Sequence, residues 1–517
     1  MLPAIPEAGD AGLTAGRTTR GLRPYNSPEI LIPAAEEYER LIKENGIVLE
    51  VEERKTRIAE GVRRLAASVG GEAILPDELL AEVANLVEMP MPLLGSFDKE
   101  FLSLPEDVLI SVMKTHQRYF PIRSAGAHES PLLPSFVIVR NGDKQGLTLV
   151  RQGNEHVLRA RFADANFFVR EDLKHKLEDF RPRLSALIFQ KKLGSMLDKA
   201  DRIEKLTGAL VPLLGLEADE ATFARRAARL AKADLATKMV VEMTSLQGIM
   251  GREYALRSGE SQAVADAIGE QYQPVPKSKP GLAVALADRL DSLAGLFAAG
   301  LAPTGTKDPF GLRRAAIGVV QPLIDHNLTF DLRAALKSAA ALEPVPVSDE
   351  VQAQVLEFLT GRLRVVLMDS GYKYDVVDAV LAAQSSNPAG AAKAVRQLAT
   401  WVERKDWNTL LPGYARCVRI TRDQKARFAI QVGAFTEDAE KKLFAALEQA
   451  EKRVRTPGSV DDFLNAFIPM IPAINEFFDK VLVMAEDKTM QENRLGLLQR
   501  ISALANGIAD LSKLEGF

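Results

Sequence analysis

The chain has 517 residues, several times the ~100–200 usual for one domain, so three or four domains with real apolar cores are expected. Hydrophobic residues at 47% and charged residues at 26% exclude disorder as the main state, and aromatics at 6% favour helix over a β-sandwich. The formal charge is −3, with 66 Lys and Arg against 69 Asp and Glu, which excludes a wholly basic nucleic-acid coat and leaves room for local patches.

Residues 1–33, rich in Gly, Pro, Ala and Thr, show no apolar period and are predicted as loop, a leader or remnant without a core of its own. From Glu36 onward the pattern is helical: Tyr38, Leu41 and Ile42, then Ile58, Val62, Leu65 and Ala66, recur at steps of three and four. Pro76-Asp77-Glu78 suits the first turn of another helix carrying Leu79, Leu80, Val83, Leu86 and Val87. Strands are predicted at 93–97, 108–113, 118–122 and 135–140, and the apolar run Phe136-Val-Ile-Val139 fits a strand buried on both faces. These elements make an α/β domain over 34–170. Helix dominates 171–328, punctuated by Gly248, Gly251 and prolines at 274–280 and 303–309, and continues through a connecting region at 329–395 and a carboxy-terminal domain at 396–517. The expected class is mainly α with a smaller α/β amino-terminal domain, and no fixed-period repeat points to a solenoid.

Candidate chemistry is sparse. The single Cys417 and five histidines exclude an internal disulfide and a zinc quartet of finger spacing. Cys417 lies near Arg416 and Arg419, cations that lower a thiol pKa, but a small packed residue is the expected role. Lys114-Thr-His-Gln-Arg-Tyr-Phe120 is a polar-aromatic cluster able to stack on a base or to anchor a loop. Asp234 and Asp288 stand where metal-dependent phosphohydrolases of the HD type carry ligands, yet Ala233 replaces the histidine before Asp234 and no histidine occurs between His175 and His326. Helix–helix hydrogen bonding is therefore expected of both, with no metal expected on this chain; a phosphohydrolase remains the enzyme alternative. No Walker loop occurs. In Pro303-Thr-Gly-Thr-Lys-Asp-Pro-Phe-Gly-Leu-Arg-Arg314, Asp308 is expected to cap a helix beginning at Pro309, from which Arg313 and Arg314 project toward a phosphate. Two basic zones stand out: thirteen Lys/Arg against nine Asp/Glu over 151–206, and seven against three over 401–427.

Several segments occur together and in order: the 114–120 cluster, Gly153-Asn-Glu-His-Val-Leu-Arg-Ala-Arg161 running into Ala163-Asp-Ala-Asn-Phe-Phe168, Lys192-Leu-Gly-Ser-Met-Leu-Asp-Lys199, Lys232-Ala-Asp-Leu235 with Met239-Val-Val-Glu242, Leu246-Gln-Gly-Ile-Met-Gly251, Ala287-Asp-Arg-Leu-Asp291 and the 303–314 segment. The set resembles the β subunit of bacterial heterotetrameric glycyl-tRNA synthetase, from about Thr18 to Phe517. The ending Ala509-Asp-Leu-Ser-Lys-Leu514 looks like the helical anticodon-binding domain shared with arginyl-tRNA synthetases. The resemblance implies a glycine-tRNA ligase subunit without the catalytic site. It implies a partner α subunit, in an α2β2 heterotetramer, that activates glycine with ATP and Mg, with tRNA(Gly) as the bound RNA. It also implies a degenerate HD-like middle domain. The family's amino-terminal region is absent here, so a scaffold that has lost aminoacylation is a third reading. A cytoplasmic location without membrane association is expected, since no leader pattern opens the chain and no window approaches ~18 uninterrupted apolar residues.

On this resemblance the tRNA contacts are expected at Arg159 and Arg161, at Arg313 and Arg314, and at Arg416 and Arg419. Trp401, Trp407 and Tyr414, which interleave with the second basic zone, are expected to stack on unpaired bases.

Overall fold

A computed structural model describes residues 16–22, 27–126 and 130–517. The chain divides into two compact units, one holding the described residues up to Lys176 with Leu235–Glu253, the other holding Leu177–Asp234 and Tyr254–Phe517. Residues 235–253, read from sequence as part of the 171–328 helical segment, fold with the first unit.

The first unit is built on a four-stranded antiparallel sheet of order β3 (Gly71–Ala73), β5 (Phe120–Ser124), β6 (Leu132–Asn141), β4 (Pro90–Ser96). β4 runs against β6 from Pro90 opposite Asn141 to Ser96 opposite Ser135. Alternation places Val137 on the face covered by the helices Val51–Ala67 and Asp77–Leu86, where it joins Ile58, Val62, Val83 and Ile122 in one core. Phe136 points to the other face, where its ring lies beside Phe97 and Tyr119, and Phe162 of the Leu147–Asp172 helix packs edge-on against Phe97. Both faces are thus covered, which is why the Phe136–Val139 run reads as continuously apolar. Gly61 lets the Val51–Ala67 helix approach the sheet: a Cβ there would sit 2.6 Å from Cγ of Pro92.

Two expectations fail in this unit. The strand expected at 108–113 is helix, Glu106–Ser111, followed by a π-helical turn over Val112–His116. Pro105 precedes it and Glu106 and Asp107 fill its first turn, a helix start that overrides the apolar run; Val108, Leu109, Val112 and Met113 then fall on one buried helical face. The first 33 residues, expected as loop, contribute two strands and share a small core with the residues after them. β1 (Thr18–Arg20) pairs with β2 (Glu29–Leu31), and Ile30 is buried with Ile42 and Ile47. Residues 1–15 and 23–26 of that segment lie outside the described residues.

The second unit is helical, apart from a short hairpin of β7 (Ile188–Gln190) and β8 (Gly194–Ser195) missed by the helical reading of 171–328. Its centre is the Lys279–Ala298 helix, with fifteen of twenty residues buried, so it is apolar all round rather than along one stripe. Ser278 caps it, accepting from the Gly281 amide at 3.0 Å. Around it lie Met196–Leu214, Ala218–Leu230, Gln262–Glu270, Leu312–Asp325 and Leu332–Ala340. The chain then builds a carboxy-terminal set that includes Tyr374–Gln384, Pro388–Val402, Trp407–Thr421, Val460–Phe467 and Lys488–Ser502. The class is mainly α with a smaller α/β region, as expected.

Candidate nucleic-acid interface

The two carboxylates expected at degenerate ligand positions lie in the second unit, Asp234 buried and Asp288 half-buried. Asp288 takes Lys199 Nζ on one oxygen at 2.9 Å and Lys232 Nζ on the other at 2.6 Å. Lys199 also reaches Asp291 at 2.8 Å, and Arg202 Nε meets Asp291 at 2.6 Å. Lys232 has its backbone in the left-handed region, φ 67°, and its ammonium lies 4.0 Å from the centre of the Tyr272 ring. Burial works to raise the Asp288 pKa, but the two ammonium groups outweigh it and hold the carboxyl well below its ordinary range. Burial, with Asp291 beside it, raises the Glu343 pKa against the pull of Arg202, whose Nε lies 3.6 Å from its carboxylate. No group of three His, Cys, Asp or Glu able to hold a metal ion occurs among the described residues. Asp288 makes the helix–helix hydrogen bond expected of it, as an ion pair with Lys199 of the Met196–Leu214 helix.

Near the chain's end, the Trp407–Thr421 helix buries Trp407, Leu410, Leu411, Tyr414, Cys417 and Thr421 along one face. This corrects the stacking role expected of the aromatics. Tyr414 is 5% exposed and Trp407 6%. The Tyr414 hydroxyl donates to the Ser502 carbonyl at 2.9 Å, and its ring packs edge-on against Phe463 and Phe467. Trp401, also buried, donates through Nε1 to Asp461 at 2.7 Å. Trp401 and Trp407 occur at helical spacing because they pack into the core; Tyr414 touches the wall of the cavity beside this helix, with its ring held among phenylalanines. Burial pushes the Cys417 thiol up to about 12, leaving it a packed residue. Arg416 hydrogen-bonds Asn475 and lies 5.1 Å from the Phe478 ring centre, whereas Arg419 is exposed, 5.5 Å from that of Phe517.

Beside this helix a cavity of about 950 Å³ opens, walled by the Lys488–Ser502 helix and by the loop after Thr421. The loop is held by side-chain amides. Gln499 accepts from the Phe428 amide at 3.1 Å and donates to the Ala426 carbonyl at 2.8 Å; Asn493 does the same with Gln431 at 2.7 and 3.1 Å. Gly496 makes the approach possible, since a Cβ there would meet the Phe428 carbonyl oxygen at 2.7 Å. Lys425 and Arg427 line the cavity, are exposed, and have no ion-pair partner among the described residues. The sequence reading missed both as individual residues, although they lie inside the basic zone at 401–427; their signal was charge without helical period.

The remaining expected contacts divide by partner. Arg159 is exposed but paired with Asp98 at 2.9 Å, while Arg161 is exposed without an ion-pair partner among the described residues. Arg313 turns back to the Gly305 carbonyl, and Arg314 points to solvent. Asp308 accepts from the Leu312 and Arg313 amides at 2.8 and 2.9 Å, so the helix begins at Leu312 and not at Pro309, because Gly311 takes the left-handed conformation, φ 64°, just before it. In the 114–120 cluster His116 is exposed. Tyr119 is buried, its hydroxyl donating to Asn154 at 2.5 Å, and burial pushes its phenol up to about 12; with Phe120 also buried, that cluster offers no stacking ring. No helix among the described residues is long and apolar enough to cross a membrane.

Comparison with known proteins places this geometry. A family model described as glycyl-tRNA synthetase beta subunit matches residues 6–382, and one described as DALR anticodon binding domain matches residues 410–511, the region of the cavity. The chain is 40% identical over 515 residues to the glycine–tRNA ligase beta subunit of Desulforudis audaxviator, covering 97% of this chain and 74% of that protein. It is 38% identical to the beta subunit of Haemophilus influenzae, again covering 74% of it. It is 39% identical to a chloroplastic/mitochondrial glycine–tRNA ligase of Arabidopsis thaliana, of which it spans 48%. These matches support the synthetase reading and not the phosphohydrolase alternative. The chain belongs to the glycyl-tRNA synthetase β-subunit family and carries a DALR anticodon-binding domain.

Proposed function

We propose that this chain is the tRNA-holding subunit of a glycine–tRNA ligase, working with a separate α subunit that activates glycine using ATP and Mg, in an α2β2 assembly in the cytoplasm. The observation that carries the proposal is the clamped basic loop beside an open cavity within the anticodon-binding domain. A polyanion is held by many phosphate contacts, each releasing counterions, and these contacts fix its register while unpaired bases are read in a groove. Lys425 and Arg427 supply the phosphate contacts, joined by the exposed Arg419. The cavity is large enough for a nucleotide. Arg161 and Arg314 are further contacts along the RNA; Arg313 shapes the 303–314 loop rather than touching it. Bond-making falls to the partner.

The test is reconstitution. Glycine charging of a tRNA(Gly) transcript should require this chain and an α subunit together. Turnover of a nucleotide panel by this chain alone with Mn²⁺, abolished by Asp234→Ala, would reverse the assignment. Charging by the α subunit at full rate without this chain would also refute it.

A further inference from the structure

The Ala163–Phe168 and Met239–Glu242 motifs have no part in the function described so far, yet both lie in the first unit and meet at one surface. Along the Leu147–Asp172 helix and just beyond it, His156, Ala163, Phe167, Arg170 and Lys174 fall at helical spacing on a single exposed stripe. Phe167 is 55% exposed, an unusual state for a ring that would gain from burial. Phe168 packs against it edge-on, with centroids 5.8 Å apart. Lys238 stands beside it, Nζ 5.6 Å from the ring centre.

That lysine is placed by the fold. Asp172 accepts from the Lys238 and Met239 amides at 2.8 and 2.9 Å, tying the short Lys238–Glu242 helix to the end of the long one. Glu171 pairs with both Lys174 and Lys238, the latter at 3.4 Å, and is the acid that holds the cations around the ring. Arg170 has no ion-pair partner among the described residues. Asn166, Phe167, Arg170, Glu171 and Lys174 are among the residues lining a groove of about 550 Å³.

We propose that Phe167 is a stacking platform for an unpaired nucleotide of the bound RNA, with Arg170, Lys174 and Lys238 holding the flanking phosphates. An aromatic face framed by cations suits a base and its backbone, because the ring takes the base's π-face while the charges take the polyanion. In the groove, Ala163, Phe167 and Leu173 alternate with Arg170, Glu171 and Lys174, whereas a docking protein helix needs a continuous apolar stripe. This inference rests on the tRNA-holding role but concerns a surface outside the anticodon-binding domain.

The experiment measures binding of the full chain to a tRNA(Gly) transcript by fluorescence anisotropy at two salt concentrations. Phe167→Ala should weaken binding ~tenfold or more with the salt dependence retained, and Phe167→Trp should restore it. Arg170→Ala with Lys174→Ala should make log Kd against log salt shallower by about 1.4. A folded Phe167→Ala variant, verified by thermal melting, that binds the transcript as tightly as wild type overturns the platform and leaves the wider tRNA role intact. So does a variant that keeps RNA affinity but no longer co-migrates with the α subunit, which would assign the surface to protein docking. Failure of the wild-type chain to bind any tRNA removes both.

Discussion

Two sets of lysines and arginines within the second unit are put to opposite uses. Around Asp288 and Asp291, Lys199, Arg202 and Lys232 are buried and matched to carboxylates at 2.6–2.9 Å. In the loop after Thr421, Lys425 and Arg427 stand in solvent with no carboxylate partner, although Gln499 and Asn493 grip the loop's backbone. A buried charge must be neutralised within the fold, so its partner is fixed and it is lost to any ligand. An exposed charge on a fixed backbone costs little to keep and is free to displace counterions from a polyanion. Position, rather than residue type, separates a structural cation from a binding one.

The comparison breaks most sharply at Asp288. Asp288→Ala leaves two lysines buried without their shared carboxylate and should cost about 3–5 kcal/mol in urea unfolding, with tRNA affinity of the folded fraction unchanged. The same carboxylate sets an acid limit. Its folded pKa lies below the ordinary 3.8, so its stabilisation is complete above about pH 4 and fades as pH falls toward the folded value. Asp288→Asn should therefore flatten the stability profile below pH 4; an unchanged profile would contradict the ion-pair account.

Next in size, Lys425→Ala with Arg427→Ala should raise KM for tRNA ~tenfold in charging assays with the α subunit while leaving kcat and the melting temperature near wild type. A fall in kcat alone would place these residues in a different step. Tyr414→Phe removes only the hydrogen bond to Ser502 and should cost about 1 kcal/mol of stability in urea unfolding, with the ring packing retained. Smallest of all, Arg159→Ala breaks an exposed pair with Asp98 and should change stability by no more than about 1 kcal/mol.

Helical content, the buried β6 run and the ordered motifs were legible in the sequence because each is written in local periodicity or fixed spacing. The helix at Glu106–Ser111 was not, since a run such as Val108-Leu-Ile fits strand and helix alike until the Pro105 and acidic first turn are weighed. The aromatics near 401–414 misled for a related reason: Trp407 and Tyr414 share a helical face with Leu410 and Leu411, a core signature that adjacent basic residues obscured. The ion-pair cluster was out of reach, as it joins Lys199, Lys232 and Asp288 across long sequence separations. Lys425 and Arg427 gave only a count of charge; that they project from a gripped loop depends on Gln499 and Asn493, some sixty to seventy residues later.

The division between sealed and open cations is tested most directly by the salt dependence of tRNA binding, measured on the full chain and on its Lys425→Ala, Arg427→Ala variant. The plot of log Kd against log salt should become shallower by about 1.4–1.8 in the variant, the loss of two phosphate contacts. Superimposable plots for the two proteins would show that the loop beside the cavity does not hold the RNA.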